Sequence, residues 1–416
     1  MKDAKGRNRV VVTGLGTINA VGNTVDEFWQ GLIEGKSGIG LTTRCDVSDL
    51  SCKVSGEVKG FEPLDWLDRK EARHMARFSQ LAVAASTMAI QNADLDTSKE
   101  NQERLGVYLG NGIGSLPDIE TGCEVVTTKG GMRLNAFFMP IILTNLAAGQ
   151  VSIALRLKGY TSTVSTACAA STQSIGEAAE VIRRGSADVM IAGGTEAAIT
   201  PVGIAGFAVM KALTSYNEEP TKASRPFDAN RDGFVPSEGA GILALESMEH
   251  AIGRGARIMA EIVGFGISSD AHHPVAVDVE GATRAMRWAI EDAGMTPNDI
   301  DYINAHGTST PLNDRSETAA IKSLFGDYAY KVPISATKSM TGHLLGGTGG
   351  VEAVTCVKTI NEGIIHPTIN LETPDPECDL DYVPNEARKK DVRTVLSNGF
   401  GFGGQNACLV FKRFEE

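Results

Sequence analysis

Five short apolar runs punctuate the chain: RVVVTGLG (9–16), RLGVYLGNGIG (104–114), DVMIAGG (188–194), DYINAHG (301–307) and VPISATK (332–338). Each has strand length and closes on glycine or small polar residues, and helical patterns at 72–92, 169–184 and 281–293 lie between them. A run apolar on both faces has to be covered by helices, so the alternation predicts an α/β protein with buried sheets. With 42% hydrophobic and 22% charged residues in 416, a sizeable core is within reach, and the 46 glycines imply many close backbone approaches.

The same figures exclude several functions. A net charge of −12 argues against non-specific nucleic-acid binding, which needs clustered lysine and arginine over a favourable field. No stretch approaches the roughly 18 uninterrupted apolar residues of a membrane span. The opening MKDAKGRNRVVVTGLG passes from charged residues directly into a strand-like run, which predicts a cytoplasmic protein. Seven cysteines without a CxxC pair suit a reducing compartment and argue against a disulfide framework or a zinc knuckle.

An internal echo narrows the architecture. TVSTACAAS (163–171) and PISATKSMT (333–341) both run from a β-rich segment through serine and small residues into a helix, and the helices end in RRG (183–185) and NEG (361–363). From Cys168 to its terminal glycine the first copy spans 17 residues, and from Lys338 the second spans 25, the excess matching one extra loop, MTGHLLGG (340–347). If the halves are related by a pseudo-twofold axis, Cys168 and Lys338 begin equivalent helices and face a common centre.

That centre collects the chemistry. Cys168 stands where a strand-like run meets a helix N-terminus, whose unpaired N–H groups and partial positive charge favour a thiolate. Every flanking side chain is small, so something approaches closely; the other six cysteines read as buried packing. His306 in NAHGTSTPLND and His343 in TKSMTGHLLGGTGG occupy polar, glycine-rich loops at strand ends, where active sites of α/β folds gather. An imidazole with pKa ~6.5 can donate a hydrogen bond or accept a proton near neutral pH. Lys338 needs a partner if buried, and a helix over 349–362 would put Glu352 in its first turn to supply one. The adjacent His272 and His273 lack the accompanying ligands of a metal site, and no metal is expected.

NGFGFGGQN (398–406) joins two apolar runs without the helix that a dinucleotide fingerprint requires. It reads as a hairpin turn, or as a mobile loop in which Phe400 or Phe402 closes over a pocket while a backbone N–H holds an oxyanion. In DRKEARHMAR (68–77), Arg69, Lys70, Arg73, His74 and Arg77 recur at helical spacing; a solvated helix face and a docking patch for an acidic partner both fit.

With STACAAS, AHGTSTPLND, TKSMTGHLLGGTGG and NGFGFGGQN present in that order, the chain resembles the β-ketoacyl-acyl carrier protein synthases, and among them the elongating condensing enzymes of type II fatty acid synthesis. The likeness runs from VVTGLG through GGTE, SRPFDANRDGF and PTINLETPD to the C-terminal stretch. It implies the thiolase fold, a duplicated five-layer α/β/α/β/α arrangement, with an N-terminal half at 1–255 carrying the nucleophile and a C-terminal half at 256–416 carrying the His, His and Lys residues.

By this resemblance Cys168 takes an acyl chain from acyl carrier protein, while His306 and His343 promote decarboxylation of malonyl-acyl carrier protein. Lys338 and Glu352 would support the site, and the N–H groups of Cys168 and Phe402 would form the oxyanion hole. Thr308 and Thr310 would meet the phosphopantetheine arm, Phe402 would gate the acyl pocket, and Ile113 would line it, so that its size influences chain length. Lys70, Arg73, Lys129, Arg133 and Lys211 match or lie near positions that dock the acidic carrier protein.

The family also implies a homodimer and no bound cofactor, the phosphopantetheine arriving on the carrier. The chemistry agrees: a thiolate is both nucleophile and leaving group, and two imidazole N–H donors suit the enolate left by loss of CO2. A ketosynthase of a polyketide or specialised lipid pathway is the alternative that the motifs barely exclude. A chain-length-factor subunit would lack Cys168.

Overall fold

A computed structural model describes residues 1–415. Ten strands form one continuous sheet. In chain order they are β1 (Val10–Asn19), β2 (Leu105–Gly110), β3 (Thr161–Val164), β4 (Val189–Glu196), β5 (Gly239–Ser247), β6 (Ala260–Ser269), β7 (Tyr302–Asn304), β8 (Ile334–Ser335), β9 (Thr394–Gly401) and β10 (Gln405–Lys412). Across the sheet the order is β8-β7-β9-β10-β6-β1-β5-β4-β2-β3.

That order contains one pattern twice. Outward from β1 it reads β1-β5-β4-β2-β3, and outward from β6 it reads β6-β10-β9-β7-β8, so each strand of the first set has its counterpart five places on. The directions repeat as well. β5 is antiparallel to both β1 and β4, as β10 is to β6 and β9, and the remaining pairs of both sets are parallel. Only Val10–Val12 of β1 and Ala260–Ile262 of β6 join the two sets.

Six helices follow the same repeat: α1 (Arg77–Asn92), α2 (Leu146–Leu155) and α3 (Ala170–Arg183), then α4 (Val279–Asp292), α5 (Pro311–Phe325) and α6 (Thr348–Glu362). α1 and α2 pack together on the outer face of the first half-sheet, and α4 and α5 pack together over the second. α3 and α6 touch each other and strands of both halves. The result is the α/β/α/β/α stack, with one apolar core around α3 and α6 and one beneath each outer pair.

The helical pattern at 72–92 breaks into a short helix, Arg69–Ala72, and α1, because Ala76 adopts an extended conformation. Arg77 therefore turns inward, where its guanidinium grips Glu238 at 2.7 and 2.8 Å and leaves the basic face. Lys338 does not begin the counterpart of α3. It opens a single turn, Lys338–Thr341, closed by Gly342 at φ 69°, and the extra loop intervenes before α6. What Cys168 and Lys338 share is their place just beyond β3 and β8. Among the described residues no helix is long and apolar enough to cross a membrane.

Candidate active site

Cys168 lies on a 3₁₀ turn, Ala167–Ala169, between β3 and α3. Ala167 takes φ 49°, a left-handed conformation costing a β-carbon-bearing residue about 1 kcal/mol, and this sharp bend presents the sulfur to a cavity of about 260 Å³. The β9–β10 hairpin closes on the same turn. A side chain at Gly401 would place its Cβ 2.5 Å from the Thr166 carbonyl oxygen, so only glycine lets the hairpin come this near. The peptide N–H groups of Phe402 and of Cys168 itself then face the sulfur.

His306 follows β7, and His343 sits in the extra loop before α6. Their rings stand 5.6 Å apart at 85°, and the Cys168 sulfur and one nitrogen of each ring all lie within 4.8 Å of one another. Phe234 packs edge-on against His343 and Phe400 against His306, and both line the cavity with Phe402.

Neighbouring groups fix which ring atom carries each proton. The Leu345 N–H donates to His343 Nδ1 at 3.2 Å, and Thr348 Oγ1 lies 2.9 Å from the same atom. Lys338 Nζ, which can only donate, lies 3.5 Å from His306 Nδ1. With Nδ1 an acceptor on both rings, the proton of each neutral imidazole sits on Nε2, which remains for the cavity. Burial first, and the Lys338 charge second, push both histidines well below their usual pKa, so they are neutral at pH 7. The thiol and two imidazoles are spaced like metal ligands, but a metal would need bare ring nitrogens, and the Lys338 charge disfavours a cation. The set suits a developing oxyanion.

Lys338 is buried. Its ammonium pairs with Glu352 Oε1 at 2.5 Å and donates to the His306 carbonyl oxygen. α6 begins at Thr348, so Glu352 is its fifth residue, past the first turn where the sequence pattern would place it. Burial raises the Glu352 pKa to about 7, against the pull of Lys338.

Cys168 departs from its expected state. Burial raises its thiol to about 11, outweighing the Lys338 charge and the N–H of Phe402. The helix N-terminus does not by itself make a thiolate here, because desolvation is the larger effect.

Thr308 and Thr310 both line the cavity, their hydroxyls 2.9 Å apart, and the Thr310 hydroxyl also accepts the Asn313 N–H that opens α5. Ile113 does not line the cavity as it stands. It belongs to an apolar cluster with Phe207 and Leu345, which do line it, and Phe402 lies 6.3 Å from Phe207. Of the five basic residues, Lys211 stands on the cavity rim, and all are exposed. His74, next to Arg73, stacks on Phe137 at 3.8 Å, which ties the Lys70–Arg73 segment to the chain just after Arg133.

One residue central to the site gave no motif. Glu317 of α5, fully buried, accepts the N–H groups of His306 and Gly307 at 2.8 Å each and the Asn398 amide at 3.0 Å. It holds the His306 turn to the strand that leads into the Phe400–Phe402 hairpin. Burial raises its pKa against these donors. The only signal was the pair Asp314 and Glu317, one helical turn apart on a face that is buried.

A duplicated five-layer α/β fold with a cysteine and two neutral imidazoles between its halves defines a thiolase-fold condensing enzyme. The chain belongs to the β-ketoacyl synthases: residues 7–251 match the family's N-terminal domain and residues 259–372 its C-terminal domain. It is 52% identical over 411 residues to the 3-oxoacyl-[acyl-carrier-protein] synthase 2 of Synechocystis sp., covering 98% of this chain and 99% of that one. With the enzyme of the same name from Staphylococcus aureus it shares 49% over 409 residues, again 98% and 99% of the two chains. A solved type II polyketide ketosynthase in complex with its acyl carrier protein superposes with a TM-score of 0.90 at 36% identity, covering 98% of this chain and all of that one.

Proposed function

We propose that this protein elongates acyl chains in type II fatty acid synthesis, joining an acyl group held on Cys168 to malonyl-acyl carrier protein with loss of CO2. The observation that carries the reading is the pair of buried imidazoles, each with a ring nitrogen within 4.8 Å of the Cys168 sulfur and with a donor placed at its Nδ1.

The Cys168 sulfur attacks the thioester carbonyl of acyl-phosphopantetheine, and its proton leaves with the departing pantetheine thiol. A thiol held near 11 gives up that proton as the new bond forms rather than beforehand. Malonyl thioester then enters, and Nε2–H of His306 and of His343 donate to its thioester oxygen. As CO2 leaves, charge gathers on that oxygen, where the two donors stabilise it more than in the ground state. The enolate carbon attacks the Cys168 thioester. The resulting oxyanion takes the N–H groups of Cys168 and Phe402, and its collapse expels the cysteine sulfur and yields 3-oxoacyl-acyl carrier protein. Lys338, anchored by Glu352, holds His306 in its tautomer and position.

Thr308 and Thr310 are suited to the polar pantetheine arm, and the cluster holding Ile113 to the acyl chain once Phe402 swings aside. Lys70, Arg73, Lys129, Arg133 and Lys211 would receive the acidic carrier protein. The exposed side chains of Ile153, Met132 and Met139, with β3 at an outer edge of the sheet, support a homodimer. We read the chain as two halves, 1–255 and 256–416, and place the protein in the cytoplasm with the pathway that loads its carrier.

Purified protein given acyl- and malonyl-acyl carrier protein should release CO2 and form 3-oxoacyl-acyl carrier protein, read by mass spectrometry. Absence of both products would overturn the reading. Product from polyketide-type starters with none from saturated acyl chains would move it to a specialised pathway.

A further inference from the structure

Beyond the catalytic residues lies another fully buried carboxylate. Glu196, the last residue of β4, accepts four peptide N–H groups. Gly112 and Gly346 donate to Oε2 at 2.6 and 3.1 Å, and Gly114 donates to Oε1 at 3.1 Å. The Ile113 N–H lies between the two oxygens at 3.3 Å from each. No cation is paired with Glu196 among the described residues; four amide dipoles supply its counter-charge. Burial raises its pKa to about 7 against those four donors.

The donors come from different halves of the molecule. Gly112, Ile113 and Gly114 follow β2, and they carry the side chain placed against the acyl chain. Gly346 comes from the extra loop three residues after His343, next to Leu345, whose N–H fixes the His343 tautomer. The two backbones meet directly: a side chain at Gly346 would bring its Cβ within 2.1 Å of the Gly112 nitrogen, and one at Gly112 within 2.8 Å of Glu196 Oε2. Ser171 on α3 donates to the Gly346 carbonyl oxygen, fastening the loop to the helix that begins just after Cys168.

We propose that Glu196 is a positioning residue that couples the acyl pocket to the decarboxylation site. Resting on the function given above, the inference is that one carboxylate fixes the Ile113 segment and the Leu345–Gly346 segment to each other. An acyl chain that displaces Ile113 shifts the wall on which His343 is oriented, so malonyl decarboxylation answers to whether Cys168 is loaded and with what length of chain. A rigid clamp is required for this, because a side chain that let either segment move alone would break the link.

The test is Glu196→Gln, which keeps size and shape but offers one acceptor oxygen and adds an NH2 facing N–H donors. Folding is checked by thermal melting and circular dichroism. Two ratios are then read: product yield across a series of acyl lengths, and CO2 release with Cys168 acylated against CO2 release with it free. The variant should flatten the length preference and bring the acylated-to-free ratio about tenfold closer to one, the size of effect expected when hydrogen bonds to a buried charge are lost. Rescue of both ratios by Glu196→Asp would add support.

A folded Glu196→Gln protein with wild-type length preference and wild-type ratio would overturn the coupling. If the variant does not fold, hydrogen exchange on the wild-type protein decides. Protection at residues 112–114 and 345–346 should change together when Cys168 is acylated, and a change in one segment alone would overturn the inference. Failure of the wild-type protein to condense at all would instead refute the function on which it rests.

Discussion

The Leu345 N–H sits 3.2 Å from His343 Nδ1 and so dictates that the ring presents a proton, not a lone pair, to the cavity. In the proposed mechanism the direction of that one hydrogen bond makes His343 a donor to the malonyl oxygen. Replacing the ring by Ala should therefore leave acyl transfer onto Cys168 largely in place and reduce malonyl decarboxylation by about 10²–10³-fold, as for loss of an oxyanion donor. Separate assays of Cys168 acylation and CO2 release check this; equal loss of both would refute the division of labour.

Cys168 should behave as a neutral thiol in the resting protein. With its pKa raised to about 11, alkylation by iodoacetamide should climb about tenfold per pH unit from pH ~7 to ~10. A rate that levels off below pH ~9 would mean that the helix N-terminus and Lys338 do hold a thiolate. Cys168→Ala should abolish acyl loading in either case.

Lys338 and Glu352 form a pair whose members fail singly. Lys338→Met leaves a buried carboxylate without its cation and should cost roughly 3–5 kcal/mol of stability. Adding Glu352→Gln should restore much of the lost melting temperature but not condensation, because His306 still lacks its donor at Nδ1. A single Lys338→Met protein that melts like the wild type would show that the pair does not hold the site.

The carrier-binding role proposed for Lys211 separates cleanly from chemistry because this residue stands on the cavity rim. Lys211→Glu should raise KM for acyl-acyl carrier protein about tenfold at low salt with kcat nearly unchanged, the difference shrinking as salt rises. The same variant should treat a free acyl-pantetheine thioester as the wild type does.

Outside the residues that line the cavity, Glu246 of β5 accepts from Nε and Nη2 of Arg254, from His250 at 2.6 Å and from Thr13. Burial opposes its charge, but these donors outweigh it and bring its pKa from 4.5 to about 2. A lowered carboxylate stabilises the fold above its unfolded pKa, and that contribution is lost as pH falls toward 2. Glu246→Gln should lose roughly 3 kcal/mol at pH 7 and show a shallower acid limb in its stability profile. His250, raised mainly by Glu246, has the opposite sense: its contribution is complete below its unfolded value of 6.5 and disappears as pH rises through the folded one. Urea denaturation across pH resolves both limbs, and an unchanged acid limb in Glu246→Gln would contradict the assignment.

Strands β1, β2, β4, β7 and β8, helix α3 and the surroundings of Cys168, His306 and His343 could be read from the sequence because their signals are local: a strand-length apolar run, a small-residue approach, a glycine-rich loop; β5 and β6 could not. The repeat could be suspected at 168 and 338 for the same reason, although only the strand order establishes it. Glu317 and Glu196 carried no such mark. Each is fully buried and satisfied largely by peptide N–H groups, those of Glu196 from segments 82 to 150 residues away, and backbone donors leave no trace in residue identity. The break at Arg73–Ala76 was hidden for a related reason, since Glu238, 161 residues away in the chain, draws Arg77 inward. The raised thiol of Cys168 is likewise a property of the folded interior rather than of its neighbours in the chain.

The doubled strand order also bears on the making of the protein. Cys168 belongs to the first copy, and both imidazoles, the Phe402 N–H and the Lys338 ammonium belong to the second. A nascent chain therefore emerges with its sulfur before anything that can employ it, and the thiol meets its partners only when the later half docks. Under the proposed mechanism translation order acts as a safety catch: a half-made chain has no means of condensing an acyl group.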